Sequence, residues 1–140
     1  MFVNGVGVVL SGTLEDYAGM SIAWMTKVER DHVVLSLPKK AKGTQRVTST
    51  GRFTLSLLSE SQRDIARLFG GAGSHSVPGP VDLVETDWGM PAIGSSCAVY
   101  LCDVVTTQAL NDQVVVMVRM TGPVYETSAS PLVYNEEDYR

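Results

Sequence analysis

Short apolar runs, several of them broken at every second residue, set the rhythm of this chain. Val6-Gly7-Val8-Val9-Leu10 is a β-branched run ended by Ser11-Gly12, and His32-Val33-Val34-Leu35-Ser36-Leu37 stops at Pro38. Both predict core strands, because β-branched residues fit a pleated surface and Gly and Pro punctuate it. Phe53-Thr54-Leu55-Ser56-Leu57-Leu58 alternates with period two. That places Phe53, Leu55 and Leu57 on one face and Thr54 and Ser56 on the other, so one face is expected in the core and the other against something polar. Cys97 to Thr106 and Gln113 to Thr121 are the two longest strand candidates, separated by a six-residue turn over Thr107-Gln108-Ala109-Leu110-Asn111-Asp112. Val114 to Val118 is apolar on both faces, which predicts a strand covered by barrel core on one side and by a helix or a partner subunit on the other.

One helix is announced by Ser59 followed three residues later by Gln62, the spacing of a capping box. Ile65, Leu68 and Phe69 then share a face, Arg63, Asp64 and Arg67 lie off it, and Gly70-Gly71 supply the stop, for about three turns in all. A second helix is expected over Thr44 to Thr50, ahead of Gly51, against the β-branched preference of Val47, Thr48 and Thr50. Residues 72–96 carry Gly73, Pro78, Gly79, Pro80, Gly89, Pro91 and Gly94 and read as a long irregular excursion with a short extended piece around Val81 to Val84. The sum is a mostly β, antiparallel, Greek-key-like barrel with one or two short helices, in a single domain over residues 1–140.

Composition narrows the partners. With 140 residues, 44% hydrophobic and 19% charged, the chain is long enough for a real core and short enough for one domain. A formal charge of −4 with only a local lysine cluster excludes a nucleic-acid tracker, which needs a basic stripe. No apolar run approaches the roughly 20 residues that cross a bilayer, and the first residues lack a secretion-signal pattern, so a cytoplasmic location is expected. Cys97 and Cys102, an odd separation apart on one strand, stand roughly 16 Å from each other at about 3.3 Å per residue, beyond disulfide reach. No metal is expected: neither His32 nor His75 has partners at a ligand spacing. Ser74-His75-Ser76 makes no hydrolase, since sequence neighbours point apart and Gly-x-Ser-x-Gly is absent. Glu15-Asp16 and Glu136-Glu137-Asp138 read as solvated carboxylates.

The remaining chemistry concentrates between Gly19 and Gly71. Small and polar residues alternate there with large apolar ones just ahead of a loop carrying Lys39, Lys40 and Lys42. Apolar walls followed by cations suit a planar ring bearing a phosphate.

These residues also carry a family resemblance. Gly19-Met20-Ser21-Ile22-Ala23-Trp24-Met25-Thr26-Lys27-Val28 resembles the Gly-Met-Thr-Ala-Asn-x-x-Thr-x-Val segment of the flavin reductase-like family, whose fold is the FMN-binding split barrel. Gly51 to Gln62 is similar to its Gly-x-Phe-x-Val-Asn-x-Leu-Ser-x-x-Gln, Ala66 to Gly71 to the next helical turn, and Pro131-Leu132-Val133-Tyr134 with Tyr139-Arg140 to its closing signature. The resemblance implies a homodimer that binds FMN, less often FAD, with NAD(P)H as co-substrate and a small acceptor or a redox protein as partner. It implies that Ser21, Ala23, Trp24, Met25, Thr26 and Lys27 hold the ring, and that Lys42 and Thr44 at a helix start hold the phosphate.

Three departures qualify what the resemblance implies. Ala41-Lys42-Gly43-Thr44 stands where the family commonly has Ser-x-Thr, Ser56 where it often has Asn, and Asn111-Asp112-Gln113 where its reductases often carry Gly-Asp-His with the histidine near the nicotinamide. Hydride transfer rests mainly on juxtaposition and needs no protein acid, so the leading expectation is an NAD(P)H-dependent flavin reductase. The alternatives are a flavoredoxin-like electron carrier without direct NAD(P)H use, and a split barrel without catalysis.

Overall fold

The computed structural model describes residues 2–70 and 81–134. Its strands are β1 (Gly7–Gly12), β2 (Tyr17–Ile22), β3 (Met25–Lys27), β4 (His32–Pro38), β5 (Arg52–Leu57), β6 (Leu83–Glu85), β7 (Pro91–Ile93), β8 (Ala98–Ala109) and β9 (Gln113–Glu126). Helix α1 spans Lys42–Thr50, and α2 spans Arg63–Leu68 after a 3-10 turn over Glu60–Gln62. Seven strands form one sheet in the order β2-β1-β5-β8-β9-β4-β3, while β6 and β7 form a separate pair. Every pairing is antiparallel.

That order dictates the shape. Strands β2 and β3 are opposite ends of the sheet, yet only Ala23 and Trp24 separate them in the chain. Laid flat, seven strands would put the ends about 29 Å apart at about 4.8 Å per strand, whereas the Ile22-to-Met25 span reaches about 11 Å at most. The sheet therefore curls until its edges face each other without pairing, which makes a split barrel.

Inside it, Val9, Leu35, Leu37, Phe53, Leu55, Cys102, Val116 and Val118 make the core. Outside, Val8, Leu10, Leu58, Phe69, Ile93 and Leu132 make a second core beneath α2 and β7. Strand β1 feeds both clusters from alternate positions, so both of its faces are buried. The polar face expected on β5 is also buried: Thr54 Oγ1 donates to the Pro91 carbonyl at 2.7 Å, and the Ile93 N–H donates to Ser56 Oγ at 3.0 Å. The polar partner of that face is the backbone of β7.

The capping box of Ser59 and Gln62 is present, its Gln62 side chain accepting from the Ser59 N–H at 3.0 Å. The buried stripe that follows differs from expectation. Gln62, Ala66 and Phe69 are buried and Ile65 half-buried, while Leu68 is 42% exposed, because the i, i+3, i+4, i+7 face runs 62-65-66-69. Helix α1 begins two residues earlier than expected. Its β-branched segment holds because Val47 is fully buried against the core, while the hydroxyls of Thr48, Ser49 and Thr50 are satisfied on the carbonyls of Gln45 and Arg46. Gly51, at φ 76°, closes it in the left-handed conformation.

Strand β8 extends through Thr107, Gln108 and Ala109, each paired on β9, so the expected six-residue turn shrinks to Leu110-Asn111-Asp112. Part of the expected irregular excursion is ordered as the β6–β7 pair, which Trp88 pins to β5 by lying 4.2 Å under the Arg52 guanidinium. Gly71, Gly73, His75, Pro78 to Pro80, the Glu136 to Asp138 cluster and Tyr139-Arg140 lie outside the described residues.

Candidate functional site

The junction of the two sheet ends is where a site forms. Strand β2 can end against α2 because position 19 is glycine: a Cβ there would lie 2.6 Å from both Leu10 Cδ2 and Phe69 Cδ1. The close approach lets Phe69 accept at its carbonyl from the Ser21 N–H at 2.9 Å, and Ser21 Oγ donates to the Ala66 carbonyl at 2.6 Å. The chain then crosses the split. The Trp24 carbonyl is caught by the Ser36 N–H at 2.9 Å, and the Met25 N–H turns back onto the Ala23 carbonyl at 3.0 Å.

A cleft of about 320 Å³ opens beside this crossing, lined by Val6, Ser21, Ile22, Ala23, Trp24, Ser36, Pro38, Gly70, Gln113 and Tyr134. Its size falls at the lower end of ligand-binding pockets, about 300–1,000 Å³. That lining has, among its described residues, no lysine, arginine, aspartate, glutamate or histidine. Among the described residues, the amides of Ala23 and Trp24 donate to no acceptor. Trp24 is 57% exposed, too open to be a core anchor. Ser36 Oγ donates to Gln113 Oε1 at 2.9 Å.

Of the residues singled out in the sequence, the structure gathers Ser21, Ala23 and Trp24 at this cleft. Met25 and Thr26 face two adjoining grooves, and Lys27 rims one of them, an apolar hollow over Leu55, Tyr100 and Met120. Thr44 is buried and its hydroxyl donates to Met20 Sδ at 3.3 Å. Lys42 lies with Asp16, Gln45 and Arg46 along the outer side of α1. Ser36 and Pro38 were missed as site residues, since each reads locally as an ordinary strand position.

Pro38 leads from the cleft to the start of α1. That helix has Ala41 at its N-cap, no capping side chain and no acidic residue in its first turn. Its first amides therefore stay open to an anion, an arrangement worth about 0.3–1 kcal/mol for a surface charge. Lys39 is already committed, its Nζ donating to the Leu110 carbonyl at 3.1 Å. Free donors at the crossing, apolar walls and a bare helix start together fit a flavin: the amides suit the ring's carbonyl edge, and the helix start suits its phosphate.

Other chemistry is poorly placed. Cys97 and Cys102 are both free thiols, pushed up by burial and so poor nucleophiles at neutral pH. His32, expected to lack carboxylate neighbours, has Asp31 Oδ1 at 2.8 Å and Glu29 Oε2 at 3.4 Å because the 28–32 turn folds them together. The hydrogen bond from His32 holds the Asp31 carboxyl below its usual range. Among the described residues no helix is long and apolar enough to cross a membrane.

A curled antiparallel barrel with a cleft at its split and an uncapped helix start beside it has the form of a flavin-binding split barrel. The chain belongs to the flavin reductase like domain family, whose model matches residues 1–140. It is 26% identical over 144 residues to the NADH-dependent flavin reductase StyB of Pseudomonas fluorescens, covering 99% of this chain and 83% of that one. It is also 26% identical over 146 residues to an NADH-dependent flavin reductase of a Rhodococcus species, covering 99% and 80%. Among solved structures, the styrene monooxygenase flavin reductase of Pseudomonas putida superposes with a TM-score of 0.80 at 25% identity, over 95% of this chain and 86% of the other.

Proposed function

We propose that this chain is an NADH-dependent flavin reductase that takes FMN into the cleft at Ala23-Trp24 and passes the reduced flavin to a partner oxygenase. The observation that carries the reading is the pair of amides at Ala23 and Trp24 that are open among the described residues, on the wall of a cleft that Pro38 links by one short turn to the uncapped start of α1. Bound flavin supplies the hydride acceptor. The protein's part is to hold the ring, orient it and exclude water.

Ser21, fixed on both its N–H and its hydroxyl, sets the height of the crossing. The amides of Ala23 and Trp24 take the carbonyl edge of the ring, and Trp24 offers its indole face. The phosphate falls on the backbone amides of Lys42 and Gly43, with Lys40 and the Lys42 ammonium supplying charge. Thr44 contributes its position in the helix and not its hydroxyl, which Met20 occupies. Two relatives are named as NADH-dependent flavin reductases, and a solved relative is named as the flavin reductase of a styrene monooxygenase, which supports NADH as donor and an oxygenase as recipient. A homodimer accounts for the exposed Phe2 and Val3 that border the neighbouring groove.

The test is loss of NADH absorbance on adding FMN or FAD to the purified protein. Turnover with FMN, faster than with FAD, is expected. A protein that binds neither flavin and leaves NADH untouched would overturn the proposal, and one that stays yellow but ignores NADH would be an electron carrier instead.

A further inference from the structure

The inner core is left open beside the end of β3. Met25, Leu57, Tyr100 and Met120 pack against that core yet stay only half-buried, around a hollow of about 300 Å³ with Leu55 at its floor. A close-packed interior would fill such a gap, and it persists because β3 stops at Lys27 after three residues and no further strand extends the wall. The described lining of the hollow shares only Val6 with that of the cleft at Ala23-Trp24, so the two are separate places on the molecule.

Three polar groups border this apolar hollow without a hydrogen-bond or ion-pair partner among the described residues: Thr26 Oγ1, Lys27 Nζ and the Tyr100 hydroxyl. Lys27 is the one charged side chain in the described lining, and it is exposed at the rim. Floor and rim therefore ask for different chemistry in one ligand. A tyrosine ring and two thioethers favour an aromatic ring, through ring–ring and sulfur–ring contacts. A single ammonium at the water's edge favours a single negative charge that stays hydrated, so neither ion is stripped of its solvent. A phosphate dianion would find one cation here and no helix start.

We propose that this hollow is a binding site for a small aromatic carboxylate, its ring over Leu55 and Leu57 beside Tyr100 and the thioethers of Met25 and Met120, and its carboxylate at the rim on the Lys27 ammonium. Neither flavin nor NADH enters this site.

The probe is 2-naphthoate, with the uncharged 2-naphthamide as control, titrated by calorimetry into the purified protein with and without saturating FMN. One molecule is expected per chain, naphthoate binding about three- to fivefold more tightly than naphthamide, the worth of one water-exposed charge pair. Added salt erodes that advantage. Lys27→Gln removes it, binding acid and amide alike at the affinity the wild type has for the amide. Leu57→Phe fills the floor and weakens both. FMN leaves both affinities unchanged, and the NMR signals of the Met25 and Met120 methyl groups shift during the titration. Thermal midpoints are measured for each variant, and should Leu57→Phe fail to fold, Tyr100→Leu replaces it and weakens both ligands by loss of the aromatic wall. Absence of binding, or equal binding of acid and amide by the wild type, overturns the proposal. Displacement of naphthoate by FMN overturns it too, by making the hollow part of the flavin site. Naphthoate binding that falls as the protein self-associates assigns the hollow to a second copy of the chain and likewise overturns it.

Discussion

The N–H of Ser36 donates to the carbonyl of Trp24 across 2.9 Å, joining the middle of β4 to the two-residue crossing between β2 and β3. The bond matters because β3 has only three residues and pairs on one side alone. Without that anchor the crossing would keep the Ser21 bonds at its β2 end and the local Met25 N–H to Ala23 bond, and nothing among the described residues would tie Trp24 itself to β4. Flavin binding and the fold of the crossing are therefore expected to respond to different residues, and substitutions can separate them.

Trp24 is exposed and touches the cleft, so its truncation tests binding without testing stability. Trp24→Ala is expected to weaken flavin binding roughly three- to tenfold, the range of an aromatic stacking contact, and to leave the thermal midpoint unchanged. Fluorescence quenching of added FMN and a melting curve check it.

Among its described residues the cleft carries no Asp, Glu, Lys, Arg or His side chain that would titrate near neutrality during hydride transfer. The wild-type kcat/KM for NADH is expected to be flat between about pH 6 and 8, whereas Gln113→His introduces a group of ordinary pKa about 6.5. Below that pH its imidazolium opposes the positive charge that develops on the nicotinamide ring, so the variant's kcat/KM falls as pH drops. Pre-steady-state flavin reduction across pH checks this, and a step in the wild type would point to an unrecognised titrating group.

Gly19 has no room for a side chain between Leu10 and Phe69. Gly19→Ala is expected to cost about 1–3 kcal/mol by overpacking. Because Phe69 also holds the Ser21 N–H, flavin affinity should fall with stability, measurable by denaturant titration and fluorescence quenching on the same samples.

Ser11 is fully buried in β1, and its hydroxyl has no hydrogen-bond partner among the described residues. Ser11→Ala removes that unsatisfied group without leaving a large void. It is expected to stabilise the protein by about 1 kcal/mol, a rise of about 3 °C in the thermal midpoint, with kcat unchanged.

How much of this was legible in the sequence depended on whether the signal was local. The strands around Val8, Leu35 and Leu55 were visible as runs or alternations, and the Ser59–Gln62 box announced α2 before any pairing was known. Ser21, Ala23 and Trp24 could be named together because one continuous segment brings them to the cleft. Ser36 could not, since its role depends on β4 lying between β3 and β9, a pairing that brings it beside Gln113 from 77 residues away. Gln113 stood out only as a departure from a family pattern, and its partner was invisible. Thr44 was expected to open its helix, whereas the helix begins at Lys42, and Thr44 lies on the buried face with Gly43 and Val47, its hydroxyl on Met20 Sδ, a partner no local pattern announces.

The crossing at Ala23-Trp24 has a consequence for assembly. Neighbours in sequence, β2 and β3 are the two most distant strands in the order of pairing, so the cleft between them exists only after five other strands have found their registers. Three of the six pairings that link β2 to β3, namely β1–β5, β5–β8 and β4–β9, join segments far apart along the chain, the slow kind to form. A nascent or partly unfolded chain therefore has no rudimentary version of the cleft. Recovery of flavin binding during refolding should lag behind the formation of α1 and of the β8–β9 hairpin, and would serve as a stopwatch for completion of the whole sheet.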